Sequence, residues 1–147
     1  MTFLWSHHRD TRHGGYLWSV GRGGPGDGVK LAYGHVFVLL AASSARDAGH
    51  PDADRLLADI TEVIETRYWD DSRGLLRDEF AEDWTPFSTY RGMNANMHGV
   101  EAMLAAFETT GNRVWLDRAG RILGFFTDRM AAAHGWRIPE HYTEDWQ

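Results

Sequence analysis

The sequence predicts an all-α fold of repeated helical hairpins that form part of an α/α toroid, with short β-strands in the loops. A helix that is apolar on nearly every side precedes an amphipathic helix, and this succession occurs twice. A short strand-like segment follows each pair of helices. Apolar helices can line the inside of a ring that amphipathic helices cover, and two hairpins do not close such a ring. We therefore expect one domain, residues 1–147, that is an incomplete barrel.

The composition argues against several classes of function. The net charge is −6 and no cluster of Lys or Arg occurs, which argues against nucleic acid or an anionic membrane as a partner. The chain has no cysteine, and no long apolar run follows its first residues, so neither disulfides nor a signal peptide are expected. The longest apolar stretch, Val36 to Ala42, is too short to span a bilayer. These features predict a soluble, cytoplasmic protein.

The first unit begins with a buried helix over residues 30–48, which Gly49 ends as a left-handed residue. After Pro51, apolar residues recur at helical spacing with charged residues between them, which predicts an amphipathic helix. Residues 70–74 are turn formers that stop this helix, and residues 75–80 are predicted to form a short strand.

The second unit repeats this order. Residues 94–110 are predicted as a largely apolar helix that Gly111 ends, and residues 112–134 as an amphipathic helix that Gly135 ends. Residues 136–142 are predicted to form a short extended tail. Three pairs of segments match at offsets of 64, 62 and 61 residues: Leu39–Ala42 with Met103–Ala106, Gly49 with Gly111, and Glu79–Phe80 with Glu140–His141.

The N-terminal segment is predicted to be less regular. Residues 16–20 are expected to form a short strand, followed by a loop over residues 21–28. His7, His8 and His13 lie close together, but their spacing matches no metal motif, so a solvated loop is the favoured interpretation. Neither a metal ion nor another cofactor is predicted.

The segment from Tyr90 to Ala102 carries the most distinctive pattern. Asn94, His98 and Glu101 stand at positions i, i+4 and i+7, so they share one helical face of an otherwise apolar segment. Polar groups on such a face need partners or a function. One interpretation makes Asn94 or Asn96 the N-cap and His98 a satisfied core histidine. The other makes this face a functional site.

A resemblance to a known family favours the second interpretation. The run Arg91-Gly92-Met93-Asn94-Ala95-Asn96-Met97-His98, followed by Val100-Glu101-Ala102, resembles the N-acylglucosamine 2-epimerase family of sugar epimerases and isomerases. Further segments that resemble the family extend over nearly the whole chain: Asp10 to Trp18, Lys30 to Phe37, Thr110-Gly111, Trp115 to Ala119, Glu140 to Tyr142, and Asp145-Trp146.

The resemblance implies an (α/α)6 barrel of six helical hairpins with a sugar in its central cleft. It assigns Tyr33 and Asn94 to binding sugar hydroxyls and His98 to the reacting end of the sugar as the catalytic residue. Glu101, from its spacing, is expected to orient His98. The first barrel segment is expected to be missing, as is everything beyond Gln147, where the family's other histidines and a glutamate should supply an acid/base pair.

The chemistry implied by the resemblance is isomerisation or epimerisation of a sugar at C1 and C2, such as the interconversion of mannose and fructose, or 2-epimerisation. Removing the proton α to a carbonyl requires groups that titrate near neutral pH, which favours histidine, and no metal is required. Trp84, in a loop at residues 84–87, is a candidate for stacking on a sugar, and Arg91 is a second candidate contact. His35 and Arg91 could equally bind loop carbonyls, and Trp115, at helical spacing, is interpreted as core.

Two other functions remain open from the sequence. An α/α-barrel glycosidase would require a pair of carboxylates, and spacing singles out no pair among Asp78, Glu79, Glu101 and Glu140. The chain could instead be a catalytically incomplete half-ring that binds sugar or associates with itself. Its open barrel edges would expose apolar helix faces, which predicts a homo-oligomer.

Overall fold

The chain forms two layers of helices with short two-stranded β-ladders at their ends. The computed structural model describes residues 1–21, 24–25, 28–86 and 88–147, so part of the predicted loop at 21–28, and Phe87, lie outside the described residues. The α-helices are α1 (Ala32–Asp47), α2 (Ala53–Val63), α3 (Met93–Thr110), α4 (Arg113–Leu123) and α5 (Ala131–Ala133). The strands are β1 (Val20–Gly21), β2 (Gly24–Pro25), β3 (Lys30–Leu31), β4 (Trp69–Asp70), β5 (Leu75–Leu76), β6 (Glu79–Phe80), β7 (Arg91–Gly92) and β8 (His141–Tyr142).

The apolar helices form the inner layer, as predicted. Helix α1 packs against α3, and each packs against the amphipathic helix that follows it. Leu39, Ile60 and Ile122 are at most 1% exposed, and burying each such side chain contributes about 2 kcal/mol. Gly99 lets α3 approach β5 closely, because a Cβ atom there would lie 2.7 Å from Cδ1 of Leu76. No helix in the described part of the chain has the length and hydropathy of a membrane span.

Glycines end both inner helices at the predicted places. Gly49 and Gly111 have φ angles of 72° and 69°, in the left-handed region that residues with a Cβ atom seldom adopt. The second outer helix was predicted as one continuous helix over residues 112–134, but it is interrupted. Helix α4 stops at Leu123, and the π-helical segment Gly124–Met130 connects it to α5.

The strand pairs confirm the repeat and correct its register. Strand β3 pairs with β6 as β7 pairs with β8, so Lys30 opposite Phe80 corresponds to Arg91 opposite Tyr142. Phe80 therefore corresponds to Tyr142, whereas the sequence comparison matched it with His141, one residue earlier. The starts of the inner helices correspond at an offset of 61 (91 − 30), whereas the matching apolar tetrapeptides lie at 64. The two offsets differ by three residues, which is close to one helical turn. The two tetrapeptides therefore occupy the same face of their respective helices.

The repeat also includes the N-terminal segment, which the sequence did not suggest. Leu4–His8 and Ile64–Tyr68 are both π-helical, at an offset of 60 (64 − 4). Asp10 and Asp70 each accept hydrogen bonds from the second and third N–H groups after them, and a left-handed glycine follows each turn. A buried ion pair attaches the first of these turns to β3, because Nζ of Lys30 donates to Oδ2 of Asp10 at 2.6 Å.

Three predictions of strand or extended structure are wrong in detail. Residues 16–20 form no continuous strand, since Tyr16 makes only an isolated bridge to Arg9. The single strand predicted over residues 75–80 is two strands, because β5 pairs with β4 and β6 pairs with β3. The extended tail at 136–142 contains only β8, and Trp136 has a left-handed φ of 66°.

Candidate functional site

The candidate site lies where the inner helices α1 and α3 face each other. The ring of His98 meets that of Tyr33 edge-on, with centroids 5.4 Å apart, and that of Phe37 at 4.9 Å. Tyr33 and Phe37 are one helical turn apart on α1, and their rings are in contact at 5.0 Å. A histidine of one helix therefore rests on two aromatic rings of the other.

His98 combines partial exposure with a carboxylate partner. Its side chain is 27% exposed, and its Nδ1–H donates to Oε2 of Glu101 at 3.3 Å. Because a carboxylate only accepts, this bond favours the tautomer in which Nδ1 carries the proton and Nε2 has a lone pair that can accept one. Asn94 lies one turn earlier on α3 and is exposed, so its amide is available to a ligand.

The same positions of the first unit carry different residues. At the offset of 61 residues, Tyr33 corresponds to Asn94 (94 − 33), Phe37 to His98, and Leu40 to Glu101. The second unit thus supplies the polar groups, and the first unit supplies an aromatic and apolar wall. The sequence interpretation did not identify Phe37, although comparing the units at this offset would have found it.

An aromatic residue that was not predicted lies beside the site. Trp18 is 48% exposed, and its ring contacts Tyr33 edge-on at a centroid distance of 5.9 Å. From here a groove of about 450 Å³ follows α1. Its lining is mainly apolar: Leu4, His8, Tyr16, Leu17, Trp18, Leu31, Tyr33, Gly34, Phe37 and Val38.

The structure gives Trp84 a position in the core and not in the cleft. Its ring is 8% exposed and contacts the rings of His35, Tyr68 and Phe80. Its indole N–H donates to the carbonyl of His13 at 2.7 Å. A ring enclosed in this way offers no free face to a sugar, so the prediction that Trp84 belongs to the site is wrong.

Arg91 also makes structural contacts. One terminal N–H group donates to the carbonyl of Tyr90 at 2.8 Å, and the other lies 3.6 Å from Glu144. Arg91 lines a separate polar cavity of about 380 Å³ that also contains Asp70 and Arg77. These contacts match the alternative in which Arg91 binds a loop carbonyl.

The capping interpretation of this segment is wrong. Strand β7 leads directly into α3, so the residue at the N-cap is Gly92, with extended backbone and no side-chain cap. Asn96 is buried, and its amide accepts from N–H of Leu76 at 2.8 Å and donates to the carbonyls of Leu76 and Gly92. Nor is His98 a core histidine, since its side chain is 27% exposed, whereas His35 is enclosed by the core.

His35 and Asn96 are equivalent residues of the two units, at the offset of 61 (96 − 35). His35 accepts from N–H of Tyr16 at 2.9 Å and bonds to the carbonyl of Leu31, four residues earlier. The sequence suggested that His35 could bind a loop carbonyl; the carbonyl that it binds is that of Leu31 at the end of β3. Trp115, interpreted as core, is 2% exposed. Among the described residues, no three His, Asp or Glu side chains are grouped so that they could hold a metal ion.

The two layers of helices, with a partly exposed histidine and an exposed asparagine between the inner helices, form part of an α/α barrel. A profile of the family described as N-acylglucosamine 2-epimerase (GlcNAc 2-epimerase) matches residues 1–147. The chain belongs to this family.

Similar proteins support this assignment. A D-mannose isomerase of Thermobifida fusca is 49% identical over 140 residues, which cover 95% of this chain and 34% of that protein. A crystal structure of D-mannose isomerase is 37% identical with a TM-score of 0.92, over 99% of this chain and 37% of that one. The cellobiose 2-epimerase of Spirochaeta thermophila DSM 6192 is 27% identical with a TM-score of 0.86, over 99% and 39%. The prediction of part of an (α/α)6 barrel is confirmed, and the chain spans about a third of the length of these relatives.

Proposed function

We propose that the chain supplies part of the active site of a sugar isomerase, in which His98 transfers protons at C1 and C2 of an aldose. The observation that carries this proposal is the position of His98, which lies partly exposed against the rings of Tyr33 and Phe37 and donates from Nδ1 to Glu101. This arrangement leaves Nε2 for the reacting sugar. The exposed amide of Asn94, one turn earlier, is suited to a sugar hydroxyl.

Isomerisation of an aldose to a ketose consists of two successive proton transfers through an enediol. A base removes the proton from C2 of the open-chain aldose while an acid protonates the carbonyl oxygen at C1, and an enediol results. The hydroxyl at C2 then loses its proton as C1 gains one, which gives the ketose. A base on a single face of the sugar suffices for this isomerisation, whereas epimerisation at C2 requires proton delivery to the opposite face.

Mannose and fructose are the substrates we favour, and 2-epimerisation of cellobiose or an N-acylglucosamine is the alternative. The chain is 49% and 37% identical to proteins named D-mannose isomerase, against 27% for the cellobiose 2-epimerase. His98 as a base on one face is also consistent with isomerisation. We infer that the remaining acid/base groups of such a site belong to parts of the barrel that this chain does not include.

The test is deuterium exchange at the reacting carbons. The purified chain is incubated with mannose or fructose in heavy water, and deuterium at C2 of mannose and at C1 of fructose is followed by NMR. Because His98 can act as the base while water serves as the acid, we expect slow exchange that His98→Ala abolishes. His7→Ala should preserve it, because His7 is exposed and outside the cleft. Absence of exchange from the folded wild-type chain would contradict catalysis by this chain.

Sugar binding is measured separately, so that a catalytically incomplete half-ring is recognised. Saturation-transfer NMR with mannose detects contact between the sugar and the protein without turnover. We expect transfer that Asn94→Ala weakens, since that substitution removes an exposed amide from the cleft. Binding without exchange would support the alternative of a sugar-binding module, and absence of both would contradict the assigned site.

A further inference from the structure

Asp78 touches the starts of both helices that carry the candidate site. Its side chain is 8% exposed, and its Oδ2 accepts from the backbone N–H of Gly92 at 2.9 Å. Its own carbonyl accepts from N–H of Ala32 at 2.8 Å. Ala32 is the first residue of α1, and Gly92 immediately precedes α3. One residue therefore connects the two helix starts through hydrogen bonds.

The segment around Asp78 is attached to both helices by other bonds as well. On the α1 side, Glu79 pairs with Leu31 in the β3–β6 ladder. On the α3 side, the amide of Asn96 binds both backbone groups of Leu76. The segment lies between the helices as a short bridge, and the carboxyl of Asp78 is its attachment at the very start of α3.

The helix starts determine how the site residues meet. Tyr33 follows Ala32 directly, while Asn94 and His98 lie within the first two turns after Gly92. Because a helix moves as a stiff rod over such short distances, a shift at its first residue displaces these side chains. The edge-on contact of Tyr33 and His98 at 5.4 Å depends on that relative position.

We propose that Asp78 is a positioning residue of the candidate site, whose carboxyl holds the start of α3 against α1 and so sets how His98 faces Tyr33. This inference concerns the site of the proposed function and rests on that function. The burial of the Asp78 side chain is consistent with such a role. Desolvation raises the pKa of Asp78 to about 7, in opposition to the Gly92 bond and to Arg91, so an acid at this place is costly to keep.

The test measures the contact of the two rings directly. In a chain labelled at Tyr and His, the NOE between the rings of Tyr33 and His98 is recorded for the wild type and for two variants. Asp78→Ala removes the acceptor for the N–H of Gly92, and we expect loss of this NOE. Asp78→Asn keeps an amide oxygen that can accept the same bond, and we expect it to retain the NOE.

Two controls distinguish positioning from general loosening. The rings of His35 and Tyr68, with centroids 4.8 Å apart in the core, should keep their NOE in every variant. Glu79→Gln removes a neighbouring carboxylate for which the described structure shows no side-chain hydrogen bond, and it should keep both NOEs. Asp78→Leu, whose side chain branches at Cγ as that of Asp does but has no acceptor, replaces Asp78→Ala if the alanine variant does not fold, with the same loss expected.

The outcomes separate this inference from the proposed function. A Tyr33–His98 NOE that persists in Asp78→Ala or Asp78→Leu would overturn the positioning role, and so would simultaneous loss of the His35–Tyr68 NOE. Neither result depends on turnover. A chain that fails to exchange deuterium with mannose but loses only the Tyr33–His98 NOE in these variants contradicts catalysis and supports the positioning role.

Discussion

At the scale of single residues, two histidines of the inner helices serve different purposes. His35 is 1% exposed and uses both ring nitrogens on backbone groups, with Nε2 accepting from Tyr16 and Nδ1 bonded to Leu31. Burial lowers its pKa to about 4, because the charged ring would lose its hydration, and this effect exceeds that of the Leu31 carbonyl. His98 is instead partly exposed in the cleft beside Glu101. Burial and partners thus distinguish a structural histidine from a candidate catalytic one.

We expect His35 to make the chain less stable in acid. An unfolded histidine binds a proton near pH 6.5 and folded His35 near pH 4, so within that interval the unfolded state binds more protons. The stabilisation that comes from keeping His35 neutral is fully present above pH 6.5. The free energy of unfolding falls by about 3 kcal/mol from this group as the pH falls toward 4.

Urea unfolding followed by tryptophan fluorescence, at about pH 7 and about pH 4.5, measures this loss. We expect His35→Gln to be less stable than the wild type at neutral pH and to lose less stability on acidification. His7→Gln, at an exposed position, should follow the wild type. An equal acid loss in the wild type and in His35→Gln would show that another group is responsible.

At the scale of helices and strands, α3 uses its two asparagines in opposite ways. Asn96 is fully buried and bonds α3 to β5 through both backbone groups of Leu76, whereas Asn94 is exposed on the cleft side. The two side chains are chemically identical and two residues apart. They therefore form a matched pair that separates support of the fold from binding.

We expect Asn96→Ala to lower the free energy of unfolding by about 2–4 kcal/mol, because it leaves buried backbone groups of Leu76 without partners. Asn94→Ala, at an exposed position, should change it by less than about 0.5 kcal/mol. Urea unfolding of both variants measures the difference. Equal effects of the two substitutions would contradict the assigned roles.

The sequence predicts the helices well, since their signals are local. The apolar run of α1, the periodicity of α2 and the glycines at 49 and 111 each act within a few residues, and the structure has these elements in the predicted places. The start of α3 was misjudged because asparagine is a good cap in isolation. The pairing of β7 with β8, some fifty residues away, determines that Gly92 takes this position.

The candidate site was predicted less completely, because its contacts join residues that are far apart in the sequence. Tyr33 and His98 are 65 residues apart (98 − 33), and only the family resemblance suggested that both belong to one cleft. Trp84 was proposed from its aromatic ring and its loop, but enclosure by three other rings cannot be inferred from a single position. Trp18 was missed because nothing near it in the sequence indicates its contact with Tyr33.

At the scale of the whole molecule, the two π-helical segments, Leu4–His8 and Ile64–Tyr68, differ in how deeply they are buried. Ile64 and Tyr68 are completely buried in a segment that packs against α1. Their equivalents at an offset of 60 residues, Leu4 and His8, are only half buried and line the groove of about 450 Å³ beside α1. Helix α1 covers Ile64 and Tyr68, whereas Leu4 and His8 border an open groove.

We expect the purified chain to associate with itself through this groove, because contiguous apolar surface favours association. Light scattering after size-exclusion chromatography should give a mass above 16.7 kDa that rises with concentration. Leu17→Glu places a charge in the groove and should lower the mass, whereas Val114→Glu, at an exposed site on α4, should not. A monomer at every concentration would contradict this expectation.

The offset of about sixty residues also has a genetic consequence. A ring whose units join head to tail can lengthen when one stretch of coding DNA is duplicated, since each copy brings its own turn, strands and pair of helices. Duplication leaves two equal positions free to diverge wherever they face the interior. Phe37 and His98 occupy one such pair of positions, and so do Leu40 and Glu101. Divergence between former copies, with one keeping an apolar wall and the other acquiring ionisable groups, is a route by which such a ring acquires chemistry without altering its framework.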